Sequence, residues 1–576
     1  MNRDIVLVAM PFLEATIPSI QLATLHAYLE KRGLIVHSIH AYVKFFDLIG
    51  HELSSVLNGR EEAEYLYYRL LYPEKYATSQ SRVDGIITNA FKWDESTLNY
   101  VYLKLEEFHN WVLDAVLASQ ADIVAFSITY HQLPSSLHMS KLIKEKKACQ
   151  VVFGGSRVGG LMGETVLKHY SQVDYVLDGE GEDKLYRLIT GSKSSLGEFQ
   201  NVIMEDSEIP EYSDYFKILN ECTNLPADFK HRIILFYEVS RGCWWNRCAF
   251  CSSVRIYSSY REKSPQKIIR DLKLLRNKHG EYRLWFVGDC YKFSSYQQLT
   301  LLLKADCARY NIIMYSRCQI VKSYYRDLFD AGIRIIIVGI ESFSNRLLQK
   351  MDKGCSAIQN IQCLKICEEV GIQCVYNLFC DFPGIDKLDY DELNQSMDYI
   401  IHLSPPESIC NMELQYGSKV YNNLQEFGIF NVRPRSIDID MYPDDIHFFK
   451  YDYDTYFDAS DHKREIFKRV QSWIDLRQKS GDTCPLTYSD FGNCIIISDK
   501  RDPDDIKKYA LKDSAKSIFI FCDTIKSEAD LEVKFSSINW RKIVNWMVMK
   551  KIMYHENEQF LSLPINNVDQ QPTVSP

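Results

Sequence analysis

Short apolar runs recurring between helical stretches restrict this chain to parallel strands covered by helices. Ile5–Met10, Leu34–His40, Ala121–Thr129, Gln150–Gly155 and Tyr175–Gly179 are such runs, and Ile20–Arg32 and Ser135–Lys147 have helical spacing. Strands this apolar are buried on both faces, and alternation with helices buries them in a doubly wound parallel sheet. Residues 43–118 interrupt the rhythm with an aromatic, helix-prone insert. The alternation resumes over about 230–430, with strands expected at Ile233–Val239, Arg283–Val287, Ile312–Ser316, Ile333–Ile340 and Cys374–Phe379. That longer repeat is the kind that α/β barrels have.

The expected fold class is therefore α/β: a Rossmann-like doubly wound domain over 1–195, a linker over 196–229, a partial TIM-type barrel over 230–430, an irregular connector rich in Asp, Tyr and Pro over 431–484, a small α+β module over 485–566 and a disordered tail over 567–576. The last module, with a helix at Ile538–Lys551 and a strand at Gln559–Leu563, reads as winged-helix-like.

Composition narrows the function classes. Apolar residues make up 46% and charged residues 25%, which is a globular balance. The net charge of −9, without a block of Lys and Arg, argues against a nucleic-acid binder. The amino-terminal stretch lacks a small-residue cleavage site, and no apolar run reaches the ~18 residues that span a bilayer, so a cytoplasmic, membrane-free protein is expected. In that compartment the 17 cysteines are expected as buried thiols or metal ligands, not disulfides.

Three of them stand out in Ser240-Arg-Gly-Cys243-Trp-Trp-Asn-Arg-Cys248-Ala-Phe-Cys251, directly after the strand Ile233–Val239. Three thiolates on one loop can converge on a single metal centre, and thiolate is the ligand of iron–sulfur clusters. Three ligands are one short of a fully protein-held cubane, so one iron stays open to a small molecule. A zinc site would bring paired CxxC units or histidines, and no second pair lies nearby.

A cysteine triplet after the first strand of an α/β barrel resembles the radical S-adenosylmethionine (SAM) superfamily. The resemblance implies a 4Fe–4S cluster on Cys243, Cys248 and Cys251, whose open iron chelates SAM and whose reduction cleaves it to a 5′-deoxyadenosyl radical. Four residues separate the first two cysteines, where that superfamily commonly has three. Phe250 matches the aromatic residue before the last cysteine. Gly339-Ile-Glu341-Ser-Phe343 resembles the segment near the methionyl part of SAM, and Phe382-Pro383-Gly384 the adenine-side turn. Ser316 and Arg317, at a strand end, and Asp289 complete the SAM-side residues that the resemblance implies.

The amino-terminal domain is similar to the cobalamin-binding domain that precedes the barrel in many of these enzymes. Glycine-rich strand ends at Gly154-Gly155 and Gly179-Glu180 line the edge where doubly wound sheets bind ligands. Pro11, Ser19, Ser127, Thr129, Gly154, Gly155, Gly179 and Glu180 are the cofactor-lining positions this implies; no Asp-x-His-x-x-Gly motif marks an axial histidine. Longer strings, among them PSIQLATLHAYLE, VVFGGSRVGGLMGE and GIESFSNRLLQKMDKGCSAIQNIQCLK, resemble the cobalamin-domain radical SAM proteins that mature ribosomally synthesised peptides. Against that family's pattern, which often has a longer gap between its first two cysteines, the gap here is shortened, and Asp289-Cys290 and Gln415-Tyr416-Gly417 are further departures. The resemblance implies C-methylation of a precursor peptide at an unactivated carbon, an electron donor such as flavodoxin or ferredoxin, and a carboxyl-terminal module that captures a leader peptide or caps the fold. The alternatives are radical rearrangement, cyclisation or epimerisation, and a non-catalytic peptide carrier. A transfer-RNA methylthiolase would add a second cluster domain and a basic RNA module, and neither is visible.

Overall fold

Ile5, Val6, Leu7, Val8, Ala9 and Met10 are all essentially inaccessible, as the centre of a parallel sheet covered on both faces requires. In the computed structural model they form most of β1 (Asp4–Ala9), flanked by β2 (Ile35–His40) and β3 (Ile123–Ser127), with β4 (Gln150–Gly154) and β5 (Tyr175–Leu177) beyond. All are parallel, in the order β2-β1-β3-β4-β5. The structure describes residues 4–191, 202–253, 257, 259–306, 308–481 and 483–566, apart from the side chains of Tyr130 and Phe293. The expected tail lies outside the described residues. Two units make up the chain: one of residues 1–242, 253–287 and 433–452, the other of 243–252, 288–432 and 453–576.

In the first unit, the strand order places the topological switch between β1 and β3, where ligands enter a doubly wound sheet. The two loops at that point are tied together: Gln132 Nε2 donates to the Met10 carbonyl, and Ser135 Oγ donates to the Pro11 carbonyl at 2.9 Å. The insert forms helices, the longest being Pro73–Phe91 and Glu95–Ala118. Ile437, Met441, Tyr442 and Phe448 pack into the same core as the insert's Tyr67, Leu105, Phe108 and Val112. The linker region holds a helix, Ser213–Glu221, where no element was expected; Tyr215 and Leu219 anchor it in the core. The strand β6 (Ile234–Glu238) pairs in parallel with Arg283–Val287.

Burial in this unit holds two histidines neutral: it drives His40 from 6.5 down to about 3, and His138 down to about 4. His109, whose ring lies 4.7 Å from that of His138, is lowered by the same cause. On unfolding each regains its ordinary value, so the unfolded chain binds more protons between pH 6.5 and the folded values. Stability is therefore complete above pH 6.5 and lost as the pH falls toward 4, by up to ~1.4 kcal/mol per pH unit for each histidine. Urea midpoints measured from pH 7.5 to 4.5 should fall below pH 6.5; a flat profile would contradict this.

The second unit continues the repeat with parallel strands Ile312–Ser316, Ile333–Val338 and Gln373–Val375, alternating with helices Lys322–Asp330, Ala357–Val370 and Lys387–Ile400. The single strand expected at Cys374–Phe379 is two. Tyr376 is buried and donates to the Ser404 carbonyl at 2.9 Å, and after it Asn377–Asp381 pairs with Ser408–Asn411.

The expected irregular connector contains the 21-residue helix Ser460–Ser480. Only Ile466, Val470 and Trp473 face inward along it, a stripe too thin to read among its many charged residues. Trp473 is buried and its Nε1 donates to the Leu403 carbonyl at 2.8 Å. The carboxyl end is α+β. A four-stranded sheet built on Leu486–Asp490 and Cys494–Asp499 precedes a helix–strand–helix–helix–strand–strand series from Asp513 to Ser562, whose strands order as Lys526–Ser527, Gln559–Ser562, Met553–Glu556. No helix among the described residues is long and apolar enough to cross a membrane.

Candidate functional site

Gly242 opens the cysteine loop with φ +77°, and a Cβ there would lie 2.9 Å from the Ser259 carbonyl oxygen, so the turn into the loop requires glycine. Within the second unit the loop is pinned at successive points. Ala249 N–H donates to the Met351 carbonyl at 2.8 Å, and the Ala249 carbonyl accepts from Val420 N–H at 2.9 Å. Ser252 Oγ donates to Gln415 Oε1 at 2.8 Å, and Trp245 Nε1 donates to the Asp352 carbonyl at 2.9 Å.

Trp245 accounts for the lengthened spacing. A Cβ on Gly354 would fall 1.9 Å from the indole, so the ring packs on bare backbone. The Arg317 guanidinium sits over the same ring, 4.7 Å from its centroid, and 5.5 Å from that of Trp244. The gap between Cys243 and Cys248 thus carries its own anchor. Cys243, Cys248 and Cys251 are half-buried. Burial raises the Cys248 thiol, while the positive charges of Lys353 and Arg317 act in the opposite direction, as a thiolate site needs.

Glu341 adopts φ +60°, a strained conformation for a residue with a side chain. The surroundings hold it there. Asn360 Nδ2, fully buried, donates to the carbonyls on either side, Ile340 at 3.1 Å and Ser342 at 2.9 Å, and the Glu341 carbonyl accepts from Phe379 N–H at 2.8 Å. Its carboxylate accepts from Lys353 Nζ at 2.9 Å. Burial alone would depress the Lys353 ammonium; the Glu341 carboxylate, and after it Cys248, outweigh that and raise it. Lys353 also lies 5.5 Å from the Phe250 ring centroid, and Phe250 meets Phe379 edge-on at 5.2 Å.

The structure thus gathers Cys243, Cys248, Cys251, Phe250, Arg317 and Glu341. Ser316 is buried, with its Oγ on the Arg317 carbonyl at 3.1 Å. Pro383 is buried, and Gly384 is exposed with its carbonyl accepting from Lys350 Nζ at 2.7 Å. Asp289 is exposed beside the loop, and it is the next residue, Cys290, that bridges to Cys243 through the backbone. Lys353, Asn360 and Trp245 were not singled out in the sequence, and Cys290 was marked only as a departure from the family's pattern. Lys353 and Asn360 follow Glu341 by twelve and nineteen residues, and no periodicity links those separations.

At the sheet edge of the first unit, one glycine makes room for backbone. Gly155 has φ +110°, and a Cβ there would come within 2.3 Å of the Ile128 carbonyl oxygen. Ser127 lies opposite Gly154 in register, Gly179 is exposed with φ +72°, and Pro11 is buried on the tied loop. Three positions have other employment. Ser19 is buried as the N-cap of the helix Ile20–Glu30. Thr129 closes a capping box with Gln132. Glu180 lies in an ion cluster: Arg261 pairs with it, and Arg241 binds it at 2.6 Å while also reaching Glu182 and Glu238. Burial would raise the Glu180 carboxyl, but the two arginines hold it below its usual range. That carboxylate serves the cluster.

The residues fit the groups the sequence resemblance implies. The donor set is three thiols beside two cations. Cys251 and Cys243 both act electrostatically on Cys248, so the three sulfurs share one neighbourhood. Ser127 and Gly154 stand opposite each other at the carboxyl ends of β3 and β4, on the sheet edge where doubly wound folds bind ligands.

Residues 237–399 match the family model of the Radical SAM superfamily. The hopanoid C-3 methylase of Methylococcus capsulatus is 25% identical over 295 residues, which are 48% of this chain and 56% of that enzyme. The chain spans about half the length of the curated relatives it matches. Among solved structures, the cobalamin-dependent SAM radical enzyme OxsB aligns with a TM-score of 0.55 at 16% identity, over 82% of this chain and 67% of OxsB. The radical SAM methyltransferase TsrM from Kitasatospora setae aligns with a TM-score of 0.54 at 13% identity, over 82% of this chain and 89% of TsrM. Residues 237–399 are therefore a radical SAM domain, carried in a chain that shares the fold of OxsB and TsrM.

Proposed function

We propose that this chain is a cobalamin-dependent radical SAM methyltransferase that acts on a ribosomally made peptide. The observation that carries the reading is the pinned loop of Cys243, Cys248 and Cys251 beside the Lys353–Glu341 pair. When bound, the cluster with SAM supplies a carbon-centred radical and cobalamin supplies the methyl group. In this reading the three cysteines hold the cluster, and Glu341, fixed by Asn360 and Lys353, takes the amino group of SAM. Phe250 packs on the adenosyl part, and Arg317 draws the SAM carboxylate. Gly154, without a side chain, lets the corrin approach the strand ends. Low-potential electrons come from a flavodoxin or ferredoxin. The peptide substrate rests on the sequence resemblance, supported by the helix–strand–helix–helix–strand–strand series at the carboxyl end, an order suited to adding a leader peptide as an extra strand.

The test is anaerobic reconstitution with iron, sulfide, SAM and methylcobalamin, followed by mass spectrometry of candidate precursor peptides incubated with the enzyme. The expected product is heavier by one methyl group and accompanied by 5′-deoxyadenosine. If 5′-deoxyadenosine forms while the peptide gains no carbon, methyl transfer is wrong and a rearrangement or epimerisation replaces it. A protein that takes up no iron–sulfur chromophore would be a carrier.

A further inference from the structure

We propose that Cys363, Cys367 and Cys374 form a second metal site, made of thiolates alone and suited to a thiophilic d10 ion such as zinc(II). Their sulfurs all lie within 4.8 Å of one another. Cys363 and Cys367 are four residues apart on the helix Ala357–Val370 and so share a face. Gly371 stops that helix at φ +84°, and the N–H groups of Gly371 and Ile372 both donate to the Cys367 carbonyl at 3.0 Å. The chain therefore passes directly into the strand Gln373–Val375, whose one buried residue is Cys374. Three thiolates at the usual zinc–sulfur distance of about 2.3 Å stand about 3.8 Å apart on a tetrahedron, inside the observed limit.

Tyr325 supplies the second argument. It is fully buried, and its hydroxyl has one hydrogen-bond partner among the described residues, Cys363 Sγ at 3.1 Å. A thiol sulfur is a poor acceptor on which to spend a buried phenol. A metal-bound thiolate is a good one, and such partners orient ligands in metal sites. All three cysteines are at most 5% exposed, so the site is shielded from solvent. Binding forms three sulfur–metal bonds and releases the three thiol protons to solvent.

The test uses the full chain carrying Cys243→Ser, Cys248→Ser and Cys251→Ser, so that the loop holds no metal. Stripped with chelator under reducing conditions and titrated with cobalt(II), it should develop thiolate-to-cobalt charge-transfer absorption that saturates at one equivalent and is displaced by zinc(II). In the same background Cys367→Ser should abolish the band, and Tyr325→Phe should weaken binding by about ten- to a hundredfold. A folded parent with no band overturns the site, as does a band unchanged by Cys367→Ser. Zinc-edge absorption spectroscopy of the zinc-loaded parent needs no core substitution: a shell of three sulfurs supports the site, and a shell of nitrogen and oxygen overturns it.

Discussion

Changing Cys248 to alanine should leave a folded chain that no longer holds iron. The side chain is half-buried on a loop, so its loss removes little packing, and the loop's anchors at Trp245, Ala249 and Ser252 stay in place. The thiolates are already one short of a full cubane set. Losing one of them should therefore cost more than the roughly hundredfold that loss of a supporting residue costs in metal affinity. The neighbouring Cys290 is not a substitute: it is 4% exposed, its thiol donates to the Tyr291 carbonyl at 3.9 Å, and burial pushes that thiol up to about 11. Iron and sulfide analysis after reconstitution, with circular dichroism as the fold control, checks this, and Cys290→Ser should retain the cluster. Iron retained by folded Cys248→Ala would remove Cys248 from the ligand set.

The second large effect concerns Lys353. Its ammonium and the Glu341 carboxylate are mostly shielded, with side-chain exposures of 8% and 15%, and lie 2.9 Å apart. Lys353→Met leaves the carboxylate without its partner, and breaking a buried pair from one side costs about 3–5 kcal/mol. Urea unfolding should show that loss. Combining it with Glu341→Gln removes the stranded charge as well, so the double variant should be more stable than the sum of the single losses predicts, with a coupling of about 1–3 kcal/mol. Strict additivity would show that the pair contributes nothing to holding Glu341.

Local signals in the chain sufficed for the strands of the first sheet and for the cysteine loop. Period, apolarity and flanking glycines are local, and β1 through β5 appear within a residue or two of where the runs place them. Other features depend on what a residue meets after folding. The helix Ser460–Ser480 was hidden because three inward residues do not make a visible stripe among charges, and Trp473 becomes an anchor only once Leu403 is there to accept its hydrogen bond. Thr129 and Glu180 sit where a ligand edge would be, yet a capping box and two arginines occupy them.

The sequence by itself determined the α/β alternation, the cysteine loop and its neighbours Phe250 and Glu341, because each is carried by residue type at a fixed short spacing. Tertiary structure decided how those residues are held. Lys353 and Asn360 become partners of Glu341 only when the helices after it fold back on its strand end, and Trp245 makes sense of the lengthened cysteine spacing only against Gly354 and Arg317. The physical reason is the range of the forces. Periodicity and turn chemistry act between near neighbours in the chain, whereas ion pairing, ring packing and the convergence of Cys374 on Cys363 and Cys367 act through space, between residues the fold must first bring together.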